Sequence, residues 1–153
     1  MPAPVSNNDC KLYYNTGTNA SPTWVLIERA INANCDSSST TATTTNRSSK
    51  FETSEVVTIK LGPLTFDYQM LSTVDADYNA LRALWLAKTK TQFAMMDGVI
   101  ATAGSEGWKA CFQVTKCGVS EGDGDVRKAS FECEPTAFYE SGALVEPTWL
   151  VVS

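Results

Sequence analysis

Three small groups of residues have types and spacings that chemistry could use. Glu121, Asp123 and Asp125 alternate through the run S-E-G-D-G-D at 120–125, like the first ligands of a calcium loop. No downstream Glu sits at the distance needed to complete a bidentate site, so a solvated acidic hairpin is the expectation. Ser105 lies in Ala103-Gly104-Ser105-Glu106-Gly107, loosely a nucleophile elbow. The chain has no histidine to take the proton of such a serine, so this run is expected to be a flexible loop. The third group is the cysteines: Cys10, Cys35, Cys111, Cys117 and Cys133. None forms a CxxC pair, the usual spacing of a zinc knuckle or a redox motif. Packing as small buried hydrophobes is the first reading, one disulfide the second and a metal the third.

The missing histidine also removes the commonest general base and the commonest zinc ligand. No Gly-rich phosphate loop occurs. Asn19-Ala20-Ser21 and Asn46-Arg47-Ser48 match glycosylation sequons, which carry weight only in an exported chain. The first nine residues contain no basic start and no apolar stretch, so no signal peptide is expected. No apolar run approaches the roughly 18 residues of a membrane span. The expectation is a chain with no catalytic residues, no metal and no cofactor.

Charge narrows the partners. There are 12 bases against 17 acids, a formal net charge of -5 and a sequence pI near 4.7. A surface that grips nucleic acid needs clustered cations to neutralise phosphates, and no such cluster is present. An acidic surface instead repels a polyanion, which suits one that must slide past.

The elements that carry these residues read mainly as strands. At 153 residues the chain has the size of one domain with its own core. Residues 1–21 are rich in Asn, Pro, Ser, Thr and Gly and read as an extended N-terminal arm holding a short strand at 11–14. The remaining 22–153 read as a single β domain. Residues 23–32, T-W-V-L-I-E-R-A-I-N, are β-branched and aromatic, as a strand requires. A Ser/Thr-rich run at 36–50 reads as a long loop at a hairpin tip, because such composition cannot build a core. Strands follow at 53–61 and 64–71, separated by Gly62-Pro63. In the second, Leu64, Phe66, Tyr68 and Met70 alternate with Thr65, Asp67 and Gln69, the period of a half-buried strand.

The period then changes to that of a helix. Tyr78, Leu81, Leu84 and Trp85 form one stripe, with Lys88 snorkelling at its end and Ser72 and Asp75 as a box-like start, predicting a helix over 74–88. Further strands are expected at 91–96, 108–118, 126–134 and 147–152. The sum is a mainly β fold: an antiparallel β-sandwich or open barrel with one covering α-helix. Trp24, Trp85, Trp108 and Trp149 could stack on sugars, but their places in strands and in the helical stripe favour core packing.

The order of these pieces resembles the major tail, or tail tube, proteins of siphophages. The resemblance rests on the early strand, the polar run leading to Asn46-Arg47-Ser48-Ser49-Lys50-Phe51, the strand ending Phe66-Asp67-Tyr68-Gln69-Met70, and the helix. It continues through Phe93-Ala94-Met95-Met96-Asp97-Gly98, Gly107-Trp108-Lys109-Ala110, the hairpin from Phe112-Gln113-Val114 to Ser130-Phe131-Glu132-Cys133-Glu134-Pro135-Thr136, and the closing Pro147-Thr148-Trp149. It spans about 20–152. The five cysteines and the Ser/Thr-heavy run are not marks of that family.

The resemblance implies the tail-tube fold and a self-assembling structural subunit, not an enzyme. Its hexameric rings would stack into a conduit for DNA in a virion tail, assembled in the host cytoplasm. The implied partners are further copies of the chain, with tape measure, tail terminator and baseplate proteins. On the polar faces of the strands, Asp67, Gln69, Gln113, Thr115, Glu132 and Glu134 are the expected lumen residues. Ser38, Thr41, Thr44, Asn46, Arg47 and Lys50 are the expected ring-to-ring contacts. A type VI secretion or other injection-device tube protein is the nearest alternative. A capsid decoration protein or carbohydrate-binding β module is an alternative of another class.

Overall fold

Alternating polar and apolar residues can satisfy their backbones only by pairing edge to edge, and pairing dominates this chain. The computed structural model describes residues 10–45, 52–71, 73–121 and 126–153. Its strands are β1 (Lys11–Asn15), β2 (Trp24–Leu26), β3 (Ala30–Thr45), β4 (Glu52–Gln69), β5 (Lys90–Met96), β6 (Glu106–Ser120), β7 (Lys128–Pro135), β8 (Phe138–Glu140), β9 (Ala143–Val145) and β10 (Thr148–Val151). One helix, α1 (Ala76–Ala87), lies between β4 and β5.

The main sheet is antiparallel with the order β2-β1-β5-β6-β7-β4-β3. β10 joins β6 on the same side as β7: it takes Glu106 to Lys109, whereas β7 takes Phe112 to Ser120. β2 and β3 are the two ends of this order, yet only Ile27, Glu28 and Arg29 link them. The sheet must therefore curl until its ends nearly meet, giving a half-barrel with a twist of the usual hand.

The concave face holds the core. Tyr14, Phe93, Phe112, Val114, Phe131, Cys133, Phe66, Leu64 and Tyr68 are all buried there, and α1 covers them with Leu81. Phe66 and Phe131 stack with ring centroids 5.2 Å apart. Full burial of each large side chain stabilises the fold by about 1.5–3 kcal/mol. A smaller cluster of Tyr13, Ala94 and Met96 lies separately, backed by Ile100, Leu150 and Val152.

Several expectations need correction. The strand expected over 23–32 is broken by a turn, in which Ile27 donates its N–H to the Leu12 carbonyl and accepts from Ala30 N. Apolar Ile27 plugs the core there while charged Glu28 and Arg29 take the exposed tip. Within the expected arm, the short strand expected at 11–14 is present as β1 and is part of the sheet. β1 is an interior strand between β2 and β5, with Leu12, Tyr13 and Tyr14 all buried, and residues 1–9 lie outside the described ones.

The expected loop at 36–50 is strand as far as Thr45, because Thr is β-branched and a paired ribbon needs no core to satisfy its backbone. Nor does Gly62-Pro63 separate two strands. β4 runs through it by a bulge: Cys35 faces Leu64 and Ser37 faces Leu61, so Asp36 alone opposes both residues. A Cβ on Gly62 would collide with the Asp36 carbonyl oxygen. Pro63, lacking an N–H, sits where β4 parts from β7, an edge position that tolerates it.

The helix is close to its expected span, but its cap is Asp75 itself. Tyr78 N donates to Asp75 Oδ1 at 3.1 Å, Leu71 N to Oδ2 at 3.2 Å, and the buried Tyr68 hydroxyl to Oδ1 at 2.7 Å. Ser72, the other half of the expected box, lies outside the described residues. Lys88 closes the helix as a left-handed C-cap, φ 55°, with its N–H on the Leu84 and Trp85 carbonyls. Sequence reading also passed over the ribbon β8–β9. Its two-residue turn Ser141-Gly142 has φ of 52° and 83°, the left-handed pair that such hairpins favour.

Candidate assembly surfaces

Three surfaces stand out from the fold: a polar sheet face, a projecting hairpin and a groove. The polar face is the back of the best-packed strands. Pairing sets Asp67 opposite Ser130, Thr65 opposite Glu132, Gln69 opposite Lys128 and Gln113 opposite Glu134. Asp67, Gln69, Gln113, Glu132 and Glu134 thus share the face that Phe66, Tyr68, Phe112, Phe131 and Cys133 do not.

Thr115 departs from simple alternation. It is the extra residue of a bulge between Val114 and Lys116, and its hydroxyl donates to the Glu132 carbonyl at 3.1 Å. The bulge brings Lys116 onto the polar face, where its Nζ lies 2.8 Å from Glu132 Oε1. Simple alternation sets Lys116 on the opposite face, because one inserted residue inverts the parity of everything after it. Asp67 accepts from Ser130 Oγ at 2.9 Å and from Asn32 Nδ2 at 3.3 Å. Gln113 Nε2 donates to the Lys88 carbonyl at 3.1 Å, tying this face to the end of α1. With Lys116 and Lys128 among Asp67, Glu132 and Glu134, the face is acidic but interrupted.

The hairpin is made by the distal halves of β3 and β4. β4 pairs with β7 only from Leu64 to Gln69. Towards the tip, Ser37 to Thr45 pair with Leu61 to Glu52 and with nothing else described. Ser38 and Thr41 are exposed along it, as is Ile59 at 72%. Thr44 is in β3 near the tip. Asn46, Arg47 and Lys50 fall outside the described residues.

The groove, about 930 Å³, opens beside the bottom row of the concave face. Strand register aligns Leu12, Met95, Trp108 and Trp149 in one cross-strand row. Trp149 stands edge-on to Trp108, centroids 5.4 Å apart, and donates its Nε1 proton to Glu106 Oε2 at 3.1 Å. Residues 30–33 at the start of β3 form the facing wall, and Lys11, Glu28, Asp97 and Glu106 are the charged groups of the lining. Trp149 is therefore not simply a core residue: it is 52% exposed.

The groups singled out for chemistry do not converge. Ser105 is buried beneath Gly98, with its carbonyl accepting from Val152 N. Glu121 forms an ion pair with Arg127 at 2.6 Å, while Asp123 and Asp125 lie outside the described residues. All five cysteines are free thiols. Burial pushes Cys111 up to about 11, and burial with the nearby Glu134 charge pushes Cys133 up to about 12, so both are held protonated and unreactive.

A curled antiparallel half-barrel with one covering helix and a long hairpin is a fold shared with solved chains of a tail tube, a baseplate and a tail. The chain is similar over 98% of its length, and 81% of the other, to a subunit of the SPP1 tail tube, with a TM-score of 0.70 at 9% identity. It is similar over 99% of both chains to a chain of the six-fold symmetrised anti-feeding prophage baseplate, TM-score 0.62 at 9% identity. A chain from the C6-symmetric tail of an empty GTA particle matches with a TM-score of 0.58 at 13% identity, covering 88% of this chain and 94% of that one. No family model and no curated protein sequence matches.

Proposed function

We propose that this chain is the subunit of a phage tail tube, assembling into hexameric rings that stack around a DNA conduit. The likeness to the SPP1 tail tube over 98% of the chain carries this reading, and the sixfold symmetry of two of the similar assemblies supports the ring number. In this reading the face bearing Asp67, Gln69, Gln113, Glu132 and Glu134 lines the bore, with Thr115 at its bulge. Its carboxylates repel a passing polyanion, while the Lys116–Glu132 pair offsets part of the charge. The projecting hairpin, with Ser38, Thr41 and Thr44 along it and Asn46, Arg47 and Lys50 at its end, reaches the adjoining ring. Tape measure, terminator and baseplate proteins would meet the ends of the stack, in a tail put together in the host cytoplasm.

Electron microscopy of the purified protein over a concentration series tests the proposal. Hollow tubes or rings of uniform width are expected. A protein that remains monomeric at every concentration and takes up capsids or glycans would overturn it in favour of a decoration or binding module. A reconstruction placing Asp67 and Glu132 on the outer wall would remove the lumen assignment alone. The likeness to the anti-feeding prophage baseplate favours a second reading, a tube that delivers protein. Particles from infected or induced cells distinguish the two by holding DNA or protein.

A further inference from the structure

The groove beside Trp108 and Trp149 has no partner within the described chain. Its floor is the apolar row Leu12–Met95–Trp108–Trp149, and Val151, next on β10 but one, is also mostly exposed. Its charged lining carries three carboxylates, Glu28, Asp97 and Glu106, against one ammonium, Lys11. An indole beside carboxylates is a receptor for a guanidinium or ammonium on a short apolar stem, through ring-face attraction and charge-assisted hydrogen bonds.

One segment of the sequence offers that chemistry. Between β3 and β4 the sequence reads N-R-S-S-K-F at 46–51, with Arg47, Lys50 and Phe51 and no carboxylate. Geometry excludes the molecule's own groove. Residues 30–33 of β3 form the groove wall, while the same strand ends at Thr45. The intervening stretch of strand spans about 40 Å at the usual rise per residue. Among the described residues its outer part pairs only with β4 and is exposed along 36–42, so it leads away from the groove. Donor and acceptor thus lie at opposite ends of one strand.

We infer that the acid-rimmed Trp108–Trp149 groove receives the Arg47–Lys50–Phe51 end of the hairpin from a second copy of the chain. The inference rests on the tube reading and deepens it by naming the receiving surface. A contact between different patches at opposite ends is heterologous, and it repeats without closing along the stacking direction.

Photo-crosslinking tests this in the full chain. Phe51 is replaced by p-benzoylphenylalanine, isotopically heavy and light chains are mixed, and tubes are irradiated and digested. The expected product joins the residue 51 peptide of one copy to the Met95, Trp108 or Trp149 peptide of another. Tubes whose crosslinks fall elsewhere, or within one chain, overturn the groove assignment and leave the tube reading standing. Failure to form any tube or crosslinked dimer, with the unsubstituted chain also monomeric, overturns both. A second variant needs no probe: Arg47→Glu with Lys50→Glu raises the concentration needed for tube growth by about tenfold or more, as opposed charges at an interface dictate, while the monomer's unfolding midpoint stays put. An unchanged threshold overturns the inference.

Discussion

The two halves of β4 occupy opposite physical settings within one strand. Residues 64–69 lie between β3 and β7, with Leu64, Phe66 and Tyr68 almost wholly buried. Among the described residues, 52–61 pair with β3 alone, and Ile59 is exposed. The division falls at the Gly62-Pro63 bulge. The buried apolar side chains are concentrated on one side of that point, and on the other Thr58, Ile59 and Lys60 are exposed beyond buried Leu61. A free two-stranded ribbon is marginal in water, so the outer half is ordered as an extension of the sheet that anchors it.

Substitutions on either side should reveal this asymmetry. Phe131→Ala, which strips the ring stacked on Phe66, should cost about 3–5 kcal/mol in denaturant unfolding. Asp75→Ala removes the helix cap and strands the buried Tyr68 hydroxyl, for about 2–3 kcal/mol. Burial alone would raise the Asp75 carboxyl, but the Tyr68 hydroxyl, the Tyr78 and Leu71 N–H groups and Arg29 together hold it below its ordinary value. A carboxyl lowered on folding stabilises above its unfolded pKa, about 4, and that contribution is lost as pH falls through the lower folded value. Asp75→Asn should therefore flatten the acid limb of the stability curve. Asp77 is raised, by burial and by the Asp75 and Glu28 charges, and opposes this trend.

Gly62→Ala, at the junction, forces the new methyl against the Asp36 carbonyl and should cost about 1–3 kcal/mol. The smallest effect is expected in the outer half. Deleting 38–44 with 53–60, so that 45–52 closes a shortened hairpin, should change stability by about 0.5 kcal/mol or less while tube growth stops. A loss as large as that of Phe131→Ala would erase the distinction between the two halves.

What was legible in the sequence follows the same divide. Where a strand buries one face, alternation announces it, as in Leu64-Phe66-Tyr68, and the stripe through Tyr78 and Leu81 announced the helix. The polar run of β3 is exposed along 36–42 and has no alternating apolar face to announce it, so its Ser/Thr composition read as loop. The turn after Ile27 falls at Glu28-Arg29, a charged pair whose break in an otherwise β-favouring run was passed over. The bulge at Thr115 left five of the six residues expected at the lumen on one face but hid Lys116. Ser141-Gly142 between two short β-favouring triplets was a usable hairpin signal. No local signal could assemble the groove, whose floor draws Leu12, Met95, Trp108 and Trp149 from four strands.

The bulge at Gly62-Pro63 also gives the hairpin a mechanical character. Tension applied at its end runs down two covalent backbones and enters the body along β4, where six registered pairs with β7 bear it in shear. Ladder bonds lie across that pull, so they must slip together rather than open in turn. Bending meets no such resistance, because a bulge is where a strand flexes and twists most readily. The projecting hairpin is thus stiff against stretching and compliant in flexion, and in the proposed tube it would let stacked rings tilt without parting.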